Sequence, residues 1–223
     1  MQTIDAITSR WSCRAYLDKP VSREQVQSLL DIARWAPSGV NTQPWQVAVV
    51  SGATKQRISD AIIQARESGQ KENPDYGYYP PEWNEPYKGR RKATGLALYG
   101  ALKIERGDAE AQKNAWFNNY RFFGAPVGLF IFIDRQLETG SWVDLGMFIQ
   151  SLMLAAIDAG LATCPQAALA EYPDIVREAL SISAEQKLVA GLSLGYADMA
   201  HPVNQYRTER EPVETFSKWY DLD

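Results

Sequence analysis

The sequence has few of the side chains that metal, disulfide and acid–base chemistry need. Its 223 residues contain two cysteines, Cys13 and Cys164, and one histidine, His201. Two cysteines do not make a disulfide framework, so a reducing cytoplasm suits the chain. One histidine rules out a histidine-based metal cluster and leaves no clear partner for a cysteine nucleophile, so we expect no metal site. His201 itself is expected to be a loop histidine in a polar tail.

Basic charge is also scarce. The chain has 23 Lys and Arg against 27 Asp and Glu, a net charge of −4. This balance argues against a nucleic-acid partner, which needs a basic patch or stripe. The N-terminus lacks a basic region followed by an apolar core, so no secretory signal is predicted. The longest apolar stretch, residues 142–162, contains Asp144, Gln150 and Asp158, which favours a buried helix over a membrane span.

Two common nucleotide-binding motifs are missing as well. The sequence has no G-x-x-x-x-G-K-[ST] phosphate loop and no G-x-G-x-x-G that opens a helix. A classical dinucleotide-binding unit is therefore not expected. Since side chains for demanding chemistry are so few, we expect a bound cofactor to carry the reaction while the protein positions it.

The pattern of apolar residues predicts helices separated by a few strong strands. The length suggests a single domain, 1–223, in which residues 69–89 form an irregular insertion that acts as a lid. Residues 22–25 fit a capping box, and Gly160 fits a helix C-cap. Predicted helices cover 4–10, 23–35, 54–67, 90–105, 109–121, 141–159 and 173–180, and predicted strands cover 46–50, 127–133 and 188–194. This order is typical of an α+β fold with helices around a sheet.

Two segments near the start of the chain carry the functional signal. Residues 10–14 read Arg-Trp-Ser-Cys-Arg and place two guanidinium groups and a hydroxyl within five residues, a donor set suited to a phosphate. Residues 36–45 combine Pro, Ser, Gly, Asn and Gln just before an apolar run. Each segment alone has an ordinary alternative. Arg10 and Arg14 could pair with Asp5 or Asp18 on a helix surface, and residues 37–45 could be only a turn.

Together, in this order and spacing, the two segments resemble the nitroreductase family of FMN-dependent oxidoreductases. Gly124-Ala125-Pro126 precedes a hydrophobic strand, as in the family, and the helix that carries Asp144 leads into a loop at 160–167. Near the end, residues 207–212 resemble the family's basic residue two before a proline, although Arg207 and Arg210 could also be a solvated charge run. The resemblance covers nearly the whole chain, and residues 69–105 depart from it most.

The resemblance implies a central mixed sheet surrounded by helices and an intertwined homodimer with two FMN sites at the subunit interface. Pro37, Ser38 and Gly39 are expected to come from the other subunit and lie against the flavin ring. A backbone N–H near Gln166 or Ala167 is expected to face flavin N5, so no catalytic side chain is assigned. The full set of expected cofactor-binding residues is Arg10, Trp11 (through its backbone), Ser12, Arg14, Pro37, Ser38, Gly39, Asn41, Asp144, Pro165, Gln166, Ala167, Arg207 and Arg210.

The function implied is electron transfer from NADPH or NADH to a small aromatic acceptor, a nitroaromatic compound or a quinone, by a ping-pong mechanism. Tyr87 and Arg90 are expected to contact the acceptor, since aromatic groups stack on flat rings and guanidinium groups bind carboxylates. Three alternatives stay open: a reductive dehalogenase or an enone reductase on the same scaffold, and a non-catalytic flavin-binding protein. The insertion could also be a peripheral lobe whose aromatic residues only pack.

Overall fold

The computed structural model describes residues 1–222 and is built around a four-stranded sheet in the order β1-β2-β4-β3. The strands are Gln46–Ser51 (β1), Val127–Asp134 (β2), Ala162–Gln166 (β3) and Gln186–Gly195 (β4). The helices are Thr3–Ser9 (α1), Arg23–Ala33 (α2), Gly52–Glu67 (α3), Tyr87–Ala101 (α4), Ala109–Phe117 (α5), Thr139–Asp158 (α6), Pro173–Leu180 (α7) and Val213–Phe216 (α8). Helices α2 and α6 pack together over one core, and α3 and α7 contribute to a second core.

The predicted α+β class is confirmed, with one refinement of the sheet. All pairings between the four strands are antiparallel. Within residues 1–222, the parallel part of the expected mixed sheet is confined to one bridge between Ser12 and Thr163. The segment that contains Ser12 meets β3 at that single pair, so it adds no full parallel strand.

Most predicted elements are confirmed, because their apolar periodicity matches what they bury. Ser22 and Gln25 form the predicted capping box, and Gly160 ends α6 with a φ of +72°. Seven of the eight residues of β2 are buried, as its continuous apolar run predicted. Helix α6 is long and apolar enough to cross a membrane by length and composition alone, and here it packs against α2 and β3.

Strand β3 and two helix ends differ from the predictions. The resemblance implied a loop at 160–167, whereas residues 162–166 form β3; this strand lies at the sheet edge, where Pro165 is tolerated. Helix α4 ends at Ala101 rather than near 105, since Lys103 takes a left-handed φ of 55°. Helix α5 ends at Phe117 rather than near 121, and a 3-10 turn at Phe122–Gly124 follows.

The irregular segment between α3 and α4 is fastened to the fold by Asp75. Its carboxylate accepts hydrogen bonds from Arg177 (2.6 Å), Arg135 (2.9 Å) and the Leu188 N–H (2.8 Å). Burial by itself raises the pKa of Asp75, but these three donors outweigh it and hold the pKa below its ordinary value.

We expect Asp75→Asn to lower the free energy of unfolding by about 3 kcal/mol at pH 7, since it leaves Arg177 without its buried partner. The contribution of a carboxylate with a lowered pKa is fully present above its unfolded pKa, about 3.9, and is lost as the pH falls below it. Urea denaturation of both proteins at pH 7 and near pH 3 measures this. Asp60→Asn, at an exposed position, is the control. An equal loss of free energy of unfolding in both variants contradicts the stabilising role of the Asp75 carboxylate.

Candidate functional site

The two ends of the chain meet at one cavity of about 520 Å³, called here the arginine cavity. Helix α1 ends at Ser9, and the extended backbone that follows carries Arg10–Arg14 into the cavity wall. The opposite wall comes from residues near the C-terminus. The lining includes Tyr206 and six of the predicted cofactor residues: Arg10, Trp11, Ser12, Arg14, Arg207 and Arg210.

Asn204 joins these two walls, and sequence reasoning missed it. Its side-chain N–H groups donate to the carbonyls of Ala15 and Asp198, both at 2.8 Å, and its oxygen accepts the Arg14 N–H at 2.9 Å. Asn204 is fully buried. Nothing distinguishes one asparagine in a polar tail before its partners are known. Nearby, His201 Nδ1 accepts the Val203 N–H, so the histidine caps a turn, as a loop residue does.

The four arginines of the cavity have no acidic partner among residues 1–222. Within residues 1–222, no carboxylate lies within 4.0 Å of Arg10, Arg14, Arg207 or Arg210, and this includes Asp5 and Asp18. Glu211 pairs with Arg90 instead, at 2.8 Å. Burial and the adjacent charge of Arg210 lower the pKa of Arg10. Like charges collected at one cavity without a counter-charge are suited to an anion.

Unpartnered donors strengthen this conclusion. Arg10 Nε and Trp11 Nε1 are both buried and have no hydrogen-bond acceptor in the part of the chain that the structure describes. The Arg207 guanidinium stacks on the Trp11 ring at 4.5 Å. We expected Trp11 to contribute through its backbone; the structure places the residue in the cavity lining, with its indole N–H buried. Buried N–H groups normally have partners, so a ligand with acceptor oxygens fits this wall.

Strand β3 runs from the arginine cavity to Pro165–Ala167, the last two residues of the strand and the first of the turn after it, called here the ring loop. The Cys13 N–H donates to the Thr163 carbonyl at 2.9 Å, which places the cavity wall beside the start of β3. A 3-10 turn runs over Ala167–Ala170, and the N–H groups that start such a turn have no acceptor inside it. The predicted backbone donor therefore lies about 10 Å along β3 from the cavity wall, at the usual rise per residue.

Residues 37–41 form a loop apart from the arginine cavity, and its own hydrogen bonds hold it in place. The Gly39 N–H donates to Asp144 at 3.2 Å, and Ser38 Oγ accepts the Gln43 N–H at 3.0 Å. Val40 and Asn41 take left-handed φ values of 44° and 59°, and Val40 is 98% exposed. Left-handed backbone is costly for a β-branched residue and is characteristic of functional loops. Asp144 was expected at the cofactor; in this chain its carboxylate holds the loop instead.

The loop and the cavity are not parts of one pocket in a single chain. Within the described residues, Pro37, Ser38, Gly39 and Asn41 are absent from the wall of the arginine cavity. Pro37, Gly39 and Asn41 are exposed. Within the described residues, a single chain therefore presents the predicted site residues as two separate groups.

Tyr87 and Arg90 lie in the first turn of α4, close to the C-terminal segment. Arg90 lies over the Tyr87 ring at 5.7 Å and pairs with Glu211, while Thr94 of the same helix lines the arginine cavity. Tyr76, within the expected lid, instead packs inward: its hydroxyl donates to the Val189 carbonyl at 2.7 Å. The packing alternative is correct for Tyr76, which also contacts the Trp142 ring at a centroid distance of 4.5 Å.

The fold is an antiparallel sheet surrounded by helices, and the arginine-lined cavity beside its edge strand β3 is suited to a phosphorylated ligand. The model of the nitroreductase family matches residues 7–196, and the chain belongs to this family. It is similar to a 4-nitrobenzoate reductase of Pseudomonas putida, with 37% identity over 97% of this chain and 95% of that protein.

Solved structures of similar proteins are also nitroreductases. The FMN and NADPH-dependent nitroreductase NfnB from Sphigopyxis sp. strain HMH has a TM-score of 0.97 and 38% identity over the full length of both chains. The FMN-dependent NfnB of Mycobacterium smegmatis, solved in complex with NADPH, has a TM-score of 0.93 and 34% identity, with 97% of each chain covered.

Proposed function

We propose that this chain is a cytoplasmic FMN-dependent reductase that uses NADPH or NADH to reduce nitroaromatic compounds or quinones. The observation that carries the proposal is the arginine cavity, whose four guanidinium groups and unpartnered Trp11 N–H suit a phosphate. The nitroaromatic acceptors and the FMN and NADPH dependence named for the similar proteins support the same function.

The residues present fit FMN. A phosphate monoester carries a charge between about −1.5 and −2 at pH 7, which the arginines of the cavity offset. Arg10, Ser12, Arg14 and Arg210 hold the phosphate and ribityl chain, with Arg207 fixed against Trp11. Each charge-assisted contact stabilises the complex by about 1.5–3 kcal/mol, so several hold the cofactor without a covalent link.

The protein's chemical contribution is electrostatic. When bound, FMN supplies the chemistry of hydride acceptance from NAD(P)H and electron donation to the acceptor, and the nicotinamide leaves before the acceptor enters, a ping-pong order. The N–H at Gln166 or Ala167 is a fixed dipole that stabilises negative charge on the reduced ring. It cannot be titrated away, and protons reach the acceptor from water, so no acid–base side chain is needed.

A homodimer completes the site in this proposal. Helix α4 has no buried residue within one chain, and its apolar residue Leu96 is exposed. Trp35, just before the 37–41 loop, is 80% exposed, and Val143 on α6 is 64% exposed. Apolar surface of this kind is typical of subunit interfaces. We place Pro37–Gly39 of one subunit against the flavin that the arginine cavity of the other subunit holds.

Reduction of the purified protein tests the proposed function. We expect a yellow protein whose visible flavin bands bleach when NADPH or NADH is added without oxygen, and return when 4-nitrobenzoate or a quinone is added. Recovery only with a halogenated aromatic or an enone favours the other reductases. A flavin that neither nicotinamide reduces favours a non-catalytic flavin-binding protein, and a colourless protein that does not take up FMN contradicts the proposal.

Trp11 offers a specific prediction, because its indole N–H has no acceptor within residues 1–222. We expect Trp11→Phe to weaken FMN binding by at least about tenfold, because one hydrogen bond to a charged group is lost while the aromatic ring that Arg207 stacks on is retained. Fluorescence titration of the apoprotein measures this. Riboflavin, which lacks the phosphate, is the control ligand: an equal loss of riboflavin affinity contradicts a phosphate contact.

We further propose that the segment from residue 77 to Arg91 covers the acceptor side of the flavin. Its aromatic residues stack on flat rings, and Arg90 is close enough to the C-terminal wall to pair with Glu211. Tyr87 is 60% exposed and free to meet a ligand. Residues 69–76 are excluded from the lid because Asp75 and Tyr76 fasten them to the fold.

We expect Tyr87→Ala or Arg90→Ala to change the ranking of acceptors without loss of FMN. Arg90→Ala lowers kcat/KM for 4-nitrobenzoate about 10-fold relative to nitrobenzene, since one charge-assisted contact to a carboxylate is lost. Glu211→Gln is the matched control, because it frees Arg90 and leaves its charge in place. If neither Tyr87→Ala nor Arg90→Ala changes the ratio of kcat/KM for 4-nitrobenzoate to kcat/KM for nitrobenzene, the proposal that this segment covers the acceptor side is contradicted.

A further inference from the structure

We propose that Gln166 is a positioning residue: buried hydrogen bonds to its side chain fix the backbone of the ring loop. The inference rests on the proposed function, since it concerns the N–H that faces the flavin. Gln166 was expected to contact the cofactor. Its side chain instead points into the protein and is 3% exposed. Only the backbone of this residue is then free to face a ligand.

Both ends of the Gln166 amide are held by different elements. Its Nε2 donates to the Asn119 carbonyl at 2.7 Å, and its Oε1 accepts a hydrogen bond from the Ser193 hydroxyl. Ser193 lies on β4 and is fully buried, and Asn119 lies in the turn after α5. One side chain therefore ties the ring loop to the sheet and to the α5 turn. Buried polar groups arranged in this way favour one geometry, since each lost partner leaves an unsatisfied group.

A second buried hydroxyl braces the wall of the arginine cavity. The Tyr16 hydroxyl donates to the Cys13 carbonyl at 3.2 Å, next to Ser12 and Arg14. Burial raises the pKa of Tyr16 well above its ordinary value, so this hydroxyl keeps the proton that it donates.

Two glycines of the sheet keep the surrounding turns close. A Cβ at Gly191, which pairs with Gln166 across the ladder, would lie 2.2 Å from Leu169 in the turn after the ring loop. A Cβ at Gly128 would lie 2.3 Å from the Phe122 ring, in the turn after Asn119. Both turns rest directly on the sheet backbone. The elements that hold the Gln166 amide are therefore rigidly placed, and the amide transmits that placement to the loop.

Ser193→Ala tests the proposal by removing one anchor while leaving every residue of the cavity wall intact. We expect the preference of the site for reduced over oxidised FMN to fall about tenfold, a shift of about −30 mV in the two-electron midpoint potential. Affinity for oxidised FMN changes less than threefold. In the apoprotein, amide hydrogen exchange of residues 166–170 rises at least tenfold, a readout that needs no flavin.

Ser59→Ala is the matched control, since Ser59 is another buried serine, on α3. It leaves the potential and the exchange unchanged. If Ser193→Ala does not fold, Gln166→Met, similar in size and without the amide, replaces it. Lowered thermal stability with an unchanged potential and unchanged exchange overturns the proposal. If Ser193→Ala speeds amide hydrogen exchange of residues 166–170 but the protein takes up no FMN, Gln166 still anchors the ring loop, and the proposed function is contradicted.

Discussion

Replacing Arg10 and Arg210 together by alanine lowers the affinity for FMN by at least about 100-fold, because two charge-assisted contacts of about 1.5 kcal/mol or more are lost. Either substitution alone costs about tenfold. The structure places the two side chains close enough for Arg210 to lower the pKa of Arg10, and neither has a carboxylate partner within residues 1–222. The charges are thus available for a ligand. Fluorescence titration of the apoprotein with FMN measures the loss.

Removing a surface charge elsewhere separates this effect from net charge. Arg57 is exposed on α3, so Arg57→Ala leaves FMN affinity unchanged. We also expect the double variant to be slightly more stable as apoprotein, since like charges no longer face each other. A double variant that binds FMN as tightly as the parent protein contradicts the phosphate assignment.

Two inactive variants regain activity when they share a dimer. The first carries Arg10→Ala with Arg210→Ala, and the second carries Gly39→Trp. If each flavin lies between the arginine cavity of one subunit and the 37–41 loop of the other, a mixed dimer has one site with both defects and one site with neither. We expect about half the parent activity per mixed dimer, against almost none for either variant alone.

The experiment uses two different affinity tags, co-refolding with FMN at a concentration that saturates the parent protein but not the double variant, and sequential purification, so that only mixed dimers are assayed. Gly39→Ala in place of Gly39→Trp is the control for the loop, since a Cβ at Gly39 meets nothing closer than Asp144 at 3.8 Å. Purified mixed dimers that stay inactive mean that each chain builds its own site. A stable monomer that retains FMN and turnover contradicts the shared site in the same way.

The fold was largely predictable because its helices and strands carry strong local signals. The capping box at Ser22, the apolar run of β2 and the glycine after α6 each specify one element. Strand β3 was not predictable. It is a short edge strand that contains Pro165, and only its pairing with β4 shows that it is a strand.

Some residues of the candidate site were predictable from the sequence and others were not. Arg10 and Arg14 were predicted from their spacing and Arg210 from its place before a proline, and the structure brings all three to one cavity. Asn204, which fastens the two walls, has no sequence signal because the Ala15 carbonyl and the Arg14 N–H that it binds lie 189 and 190 residues away in the chain. The inward side chain of Gln166 was equally hidden, since its direction depends on the register of β3 against β4.

The most direct test of the central claim compares FMN with riboflavin as ligands of the apoprotein. The two share the ring and the ribityl chain and differ only in the phosphate. If the arginine cavity holds that phosphate, FMN binds at least about 100-fold more tightly, the equivalent of two charge-assisted contacts, and the difference shrinks when Arg10 and Arg210 are replaced. Equal affinity for the two flavins would show that the cavity does not bind the cofactor's phosphate.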